Sequence, residues 1–333
     1  MERKLVTVET ISDIQPIPDA DKICKAKVRN WWVIIGKDQF NVGDKCLYFE
    51  IDSLLPIDKF DESLSKYNST RTMITEDGKE ITGYRIRTVK MRGQISQGLI
   101  LPYNGDEAHG TDMTNALDVV KYDPYVSNQK GAQLQSDNGA EGLFPSFIPK
   151  TDEERIQNLD YYNDIDHNIW EVSEKLDGTS FTAYRFENEF KVCSRNLILR
   201  EDENSIYWKI AKKYNMKELV PEGFAVQGEI VGPGIQSNPL KLKETELYLF
   251  NMYNIKEGKY LDRFNLSDIK QVPFKYSILM RDTSIEKLID EVDGVKSKIN
   301  PSVYAEGFVY KRFENGNKIS FKIINNKFLL KER

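Results

Sequence analysis

The chain has 333 residues, 40% hydrophobic and 30% charged, with 47 Lys and Arg against 52 Asp and Glu for a formal net charge of −5. That length exceeds what one hydrophobic core normally serves, so two domains are expected, and the acidic balance excludes a surface coated with positive charge for nucleic acid. No apolar run approaches the roughly 18 residues that span a bilayer, and MERKLVTVET lacks the apolar core of a signal segment, so a cytoplasmic or otherwise intracellular protein is expected, neither secreted nor membrane-bound.

Residues 1–120 read as short strands: KLVTVETI, ICKAKVRNWWVII, KCLYFEI, YRIRTVKMR and QGLILPY, broken by PIPDAD, NVGD and EDGKEITG, where Pro, Gly and Asp suit turns. Many short strands without a long amphipathic helix imply a small barrel, here an OB-like β-barrel. Trp31 and Trp32 are adjacent, so strand alternation sends one of them to the core and leaves the other for stacking. In GKEITGYRIRTVKMRGQ, Arg85 and Arg87, and likewise Lys90 and Arg92, are two apart, which on a strand places each pair on one face; a basic face suits RNA phosphates, and a solvated edge strand is the competing reading.

Residues 121–142, KYDPYVSNQKGAQLQSDNGAEG, are polar and aperiodic and read as a linker. From 143 to 333 strands such as FTAYRF, FKVCSR, GFAVQGEIVG, ELYLFNMYNI, AEGFVYKR and KISFKII alternate with helical patterns in ENSIYWKIAKKYNM and TSIEKLIDEVDGV, which predicts an α+β domain built on antiparallel sheets. The cysteines Cys24, Cys46 and Cys193 show no Cys-x-x-Cys spacing and read as reduced core thiols. His109 and His167, the only two histidines, sit in polar loop sequence, so catalysis must draw on Lys, Arg, Asp and Glu.

EKLDG at 174–178 raises the chemical question, because a lysine on a strand of sheet interior must reach water, pair or lose its proton. Lys175, Arg195, Glu229, Glu306 and Lys322 all fall in strand-like segments, and five such charges from separate segments read as one assembled site. Cations for phosphate oxygens and acids for a divalent metal suit phosphoryl or nucleotidyl transfer. The P-loop pattern Gly-x-x-x-x-Gly-Lys-Ser/Thr is absent, so a lysine attacking phosphorus is the favoured chemistry.

EKLDG, CSRN, QGEIVG, LFNMY, AEGFVYK and SFKIINNKF occur in the order of the motifs shared by the covalent lysyl-nucleotidyltransferases, the polynucleotide ligases and mRNA capping enzymes. FPSFIPKTDEERIQN resembles the opening of the RNA-ligase form of that domain. PIPDADKI, VGDKCLYFEIDSLLP and VKMRGQISQGLILP resemble the OB domain that precedes it in the ATP-dependent RNA ligases of the Naegleria and Deinococcus type.

The resemblance implies that Lys175 attacks the ATP α-phosphorus to form lysyl-AMP, with Lys322 on the α-phosphate. It implies that Asp177, Glu229 and Glu306 hold Mg²⁺ or Mn²⁺ through water, and that Glu174, Arg195, Phe250 and Val309 bind the nucleotide, the last two against the adenine. AMP would then pass to an RNA 5′-phosphate, and a 3′-OH would seal the ends, in RNA repair of a nicked duplex by a monomer. Burial, the metal and Lys322 are expected to remove the Lys175 proton. A GTP-dependent guanylyltransferase and an inactive RNA-binding module are the alternatives. One departure stands out: relatives carry a second lysine two residues after the one at Lys322, where this chain has Ile324, and Lys327 is the candidate substitute.

Overall fold

The computed structural model describes residues 3–66, 68–74, 79–122, 139–266, 269–281 and 283–331. Most of the expected linker, residues 123–138, lies outside the described residues. The chain divides by its contacts into two compact units, residues 1–135 with 332–333 and residues 136–331.

In the first unit, β1 (Val6–Pro16) pairs with β4 (Lys45–Phe49) along one half and with β2 (Ile23–Val28) along the other, the register shifting between Ile11 and Asp13. An irregularity at that point bends one long strand into two pairings. With β3 (Trp31–Gly36) and β10 (Leu99–Pro102) the sheet order is β10-β4-β1-β2-β3. A second sheet orders β11 (Val120–Lys121), β5 (Ser53–Pro56), β7 (Glu80–Arg85) and β6 (Ser69–Ile74), and β8 (Val89–Met91) and β9 (Gln94–Ser96) form a hairpin. ICKAKVRNWWVII is thus two strands, turned at Arg29, whose φ is 53°. Ile11, Ala26, Val28, Trp31 and Val33 fill one core, and Trp31 is the buried member of the tryptophan pair.

The second unit packs two sheets. Seven strands run β12 (Ala140–Leu143), β17 (Leu197–Leu199), β16 (Glu189–Cys193), β15 (Thr179–Phe186), β18 (Phe224–Val231), β19 (Glu246–Asn254), β20 (Lys259–Tyr260). Five run β13 (Glu154–Arg155), β23 (Asn317–Ile324), β22 (Gly307–Glu314), β14 (Ile169–Lys175), β21 (Phe274–Leu279); only the β13–β23 pairing is parallel among those described. Lys121 and Ala140–Gly142, expected in the linker, are strand residues, because each finds a ladder partner, in β5 and β17 respectively.

A helix caps the outer face of each sheet. Ile206–Lys213 buries Trp208, Ile210 and Ala211 on the seven-stranded sheet. Ile285–Val292 buries Ile285, Leu288 and Val292, spaced at helical period, on the five-stranded sheet, and the Ser284 hydroxyl accepts from the Lys287 N–H to cap it. Both helices answer the two periodic segments read from sequence. The inner faces of the two sheets are left to form a cleft. Cys24, Cys46 and Cys193 are free thiols, and burial pushes Cys46 and Cys193 up to about 12. Among the described residues no helix is long and apolar enough to cross a membrane.

Candidate active site

Side chains alternate across a strand, so the register fixes which residues share the cleft wall. β14 pairs Ser173 with Val309 and Lys175 with Gly307; β22 pairs Val309 with Lys322 and Gly307 with Ile324. Ser173, Lys175, Val309, Lys311, Lys322 and Ile324 therefore share one face. Trp170, Val172, Phe308, Tyr310, Phe321 and Ile323 occupy the other and pack in the core. On the facing sheet, Glu229 pairs with Ser180 and Tyr248, opposite in sense to the core residues Val226 and Ile230. A register shift after Gln227 leaves Phe250 without a direct partner across the ladder. Lys175, Glu229, Phe250, Asn251, Val309 and Lys311 are among the residues lining the cleft.

The Lys175 Nζ donates to both oxygens of Glu306, at 2.7 and 2.8 Å. Burial alone would lower this amine, but Glu306, Glu229 and Asp177 outweigh it and hold Lys175 above its ordinary value. Of the three influences expected to remove the Lys175 proton, burial, the metal and Lys322, burial is outweighed here by the surrounding acids, which favour the ammonium. Burial pushes the Glu229 carboxyl up to about 8, with Glu306 adding to it, against the pull of Lys175, the Gly178 backbone and Arg195. A Cβ at Gly178 would stand 2.2 Å from the Ile230 carbonyl oxygen and 2.9 Å from the Glu229 Cγ, so glycine lets the Lys175 turn lie against Glu229.

Of the five charges expected within strands, Lys175, Glu229 and Lys322 are there. Arg195 lies instead in the turn between β16 and β17, where it reaches both Asp152 oxygens at 2.7 and 2.8 Å, and Glu306 immediately precedes β22. Glu174 alternates away from Lys175: its Oε2 accepts from the Lys298 N–H at 2.8 Å, while its buried Oε1 has no partner among the described residues, and burial raises its carboxyl. Lys327 does not continue the strand, because β23 ends at Ile324 and Asn325 caps a short helix, Asn326–Leu329. The Lys327 amine lies against Gly294, beyond the outer helix, so it does not stand in for the lysine absent at Ile324.

Sequence reasoning missed Lys311, which follows Gly307 and Val309 at strand period into the cleft. Its Nζ donates to the Phe250 carbonyl at 3.3 Å, and burial, assisted by Lys318, lowers it. Also missed is the buried pair Lys318–Glu153, at 2.8 Å.

The basic segment of the first unit is not one flat face. Arg85 ends β7, bonds Asp52 at 2.8 Å and stacks 4.6 Å over Tyr122; Arg87 lies beyond the strand, and burial, with Arg85 and Arg71, lowers it. Lys90 is on β8, but Arg92 and Gly93 form the hairpin turn, with φ of 49° and 79°, so the alternation expected for Lys90 and Arg92 does not apply.

A lysine paired with Glu306 in a cleft lined by Glu229 and Phe250, in a chain whose other unit is a small β domain, fits a nucleotidyltransferase with an OB-type domain, and comparison with known proteins agrees. An RNA ligase family model matches residues 168–324, and an OB-fold domain model matches residues 5–103. The Naegleria gruberi RNA ligase solved with PPi is 35% identical over 99% of both chains, with a TM-score of 0.85. The same identity, coverage and score hold for a lysine-to-alanine variant of that enzyme with ATP and Mn, and for a glutamate-to-alanine variant with AMP and Mn. No curated protein sequence matches. The chain belongs to the RNA ligase family.

Proposed function

We propose that this chain is an ATP-dependent RNA ligase that joins 3′-OH and 5′-phosphate ends of a nicked RNA duplex, acting as a monomer in RNA repair. Relatives solved with ATP or AMP and Mn support the nucleotide and a divalent cation. The observation that carries the reading is Lys175, set between Glu306 and Glu229 on the face that register shares with Lys322.

In the first transfer the Lys175 ammonium gives up a proton to solvent and the neutral Nζ attacks the ATP α-phosphorus; an N–P bond forms, the α–β bridging P–O bond breaks, and pyrophosphate leaves. Lys322 neutralises α-phosphate oxygens. Phe250 and Val309 enclose the adenine, and the Lys311 amine faces a ring edge rich in acceptors. The unpartnered Glu174 Oε1 accepts from an amino group, and Arg195, released from Asp152, binds the ribose and then the RNA end. In the second transfer a 5′-phosphate oxygen attacks the lysyl-AMP phosphorus and frees Lys175, giving A(5′)pp(5′)RNA. In the third a 3′-OH attacks the RNA phosphate and AMP leaves.

Asp177, Glu229 and Glu306 fit a hydrated cation better than a directly chelated one: among the described residues no three His, Cys, Asp or Glu converge as chelators, yet all three carboxylates act on Lys175. Mg²⁺ or Mn²⁺ bound there supplies positive charge to the carboxylates and phosphate oxygens. Residues 143–333 carry this chemistry and residues 1–120 grip RNA. The test is sealing of a nicked RNA duplex with ATP: wild type should give full-length product and Lys175→Ala none, and sealing by Lys175→Ala would overturn the assignment.

A further inference from the structure

The turn that follows Lys175 is pinned by groups outside its own strands. It ends at Gly178, and glycine, with the widest backbone freedom of any residue, keeps one shape only where its peptide groups are held. Both are held. The Gly178 N–H is hydrogen-bonded to the Glu229 carboxyl, and the Gly178 carbonyl accepts from the Gln236 side-chain amide, Nε2, at 2.8 Å.

Gln236 lies in segment 232–242, between β18 and β19. Its φ is 52°, in the left-handed region where Gly or Asn costs least and a longer side chain is uncommon. The segment is anchored on both sides of it: Ile235 enters the core of the seven-stranded sheet, and Leu240 packs with Leu176 and Val231. The Asn300 side-chain amide, Nδ2, donates to the Leu240 carbonyl at 2.9 Å, and two residues earlier the Lys298 N–H donates to Glu174 at 2.8 Å. Glu174 and Gly178, before and after the lysine, are thus each held by a loop, and the two loops are bonded to each other. A left-handed backbone kept at a residue whose side chain reaches this turn points to a use for that side chain.

We infer that Gln236 is a positioning residue for nucleotidyl transfer: its amide N–H, acting through the Gly178 carbonyl, fixes the turn at 176–178 and with it Asp177 and Glu229 relative to the Lys175 amine. Gln236 acts through Gly178 and not on ATP. The role rests on the ATP-dependent ligase reading and deepens it, since it assigns part of the order around Lys175 to a loop outside the charged cluster.

The experiment compares the full-length wild type with two variants. Gln236→Glu keeps the length of the side chain and removes the donor; Gln236→Asn keeps an amide and suits the left-handed backbone, but is one carbon too short to reach. Transfer of labelled AMP from ATP to the protein should slow about tenfold to a hundredfold in both at saturating ATP, with the half-saturating ATP concentration within about twofold of wild type. Without ATP or metal, amide hydrogen exchange read by mass spectrometry should speed up at Gly178 in both variants and stay unchanged along Gly307–Glu314. Gln236→Asn should melt at the wild-type temperature, which separates lost positioning from lost folding. Wild-type adenylylation in Gln236→Glu, or wild-type exchange at Gly178, would overturn the role. A raised half-saturating ATP concentration with an unchanged maximal rate would also overturn it and make Gln236 a nucleotide contact. No label on wild type would instead indict the ligase reading, and the exchange measurement would still judge the hold on Gly178.

Discussion

Glu306→Gln should make Lys175 more reactive as an amine and less reactive toward ATP. In the free protein the ammonium sits 2.7 Å from a Glu306 oxygen, and Coulomb's law at an effective dielectric of about 20 gives a gross attraction of about 6 kcal/mol at that distance. Burial opposes this term, but the balance still holds Lys175 above its ordinary value. Glutamine preserves the size of the side chain and removes the charge, so the neutral fraction of Lys175 at pH 8 should rise on the order of tenfold or more. The assay is pulse labelling with an amine-directed reagent without ATP, read by mass spectrometry on the peptide carrying Lys175. The same variant should transfer AMP poorly, since Glu306 is also assigned to the hydrated cation. Labelling equal to or slower than wild type would refute the claim that Glu306 holds the proton on Lys175.

Four further outcomes follow from the geometry. Burial pushes the Glu229 carboxyl up to about 8 from its ordinary 4.5, so the folded state should bind the extra proton between those values and stability should fall as pH rises from about 5 to 8; thermal melts should show that slope lost in Glu229→Gln, and equal slopes would contradict it. Gly178→Ala places a Cβ 2.2 Å from the Ile230 carbonyl oxygen, and should cost about 1–3 kcal/mol of stability in denaturant titrations and most of the adenylylation rate. Phe250→Ala should raise the ATP KM about tenfold with a smaller change in kcat, as measured by steady-state sealing. Lys327→Ala, beside Gly294 and away from the cleft wall, should leave the adenylylation rate within about twofold of wild type, a surface-substitution effect.

The legible part of the site was the part in which a single strand violates its own pattern. Lys175, Glu229 and Lys322 are charges in otherwise apolar segments, and each proved to lie on a strand facing the cleft. Period two also contained the Lys311 signal, four residues after Gly307, but a lysine near a strand end reads equally as a solvated one. What depends on two strands meeting was hidden: the register shift that frees Phe250, the Arg195–Asp152 pair and the end of β23 before Lys327 are properties of a ladder or a turn. The basic segment was misread for the same reason, because a two-residue turn at Arg92 and Gly93 interrupts the alternation that pattern reasoning assumes. The OB-like and α+β division was readable from the change of periodicity, whereas the strands within the expected linker's two ends required their partners in β5 and β17.

The central claim is that Lys175 is the nucleophile that accepts AMP. The most direct measurement incubates the full chain with α-³²P-ATP and Mg²⁺ or Mn²⁺, after pyrophosphate treatment to discharge any AMP already carried, and resolves it on a denaturing gel. Label on wild type, absent from Lys175→Ala and released by acid as a phosphoramidate should be, is the predicted result. Label retained by Lys175→Ala, or no label on discharged wild type with either metal, would contradict the account.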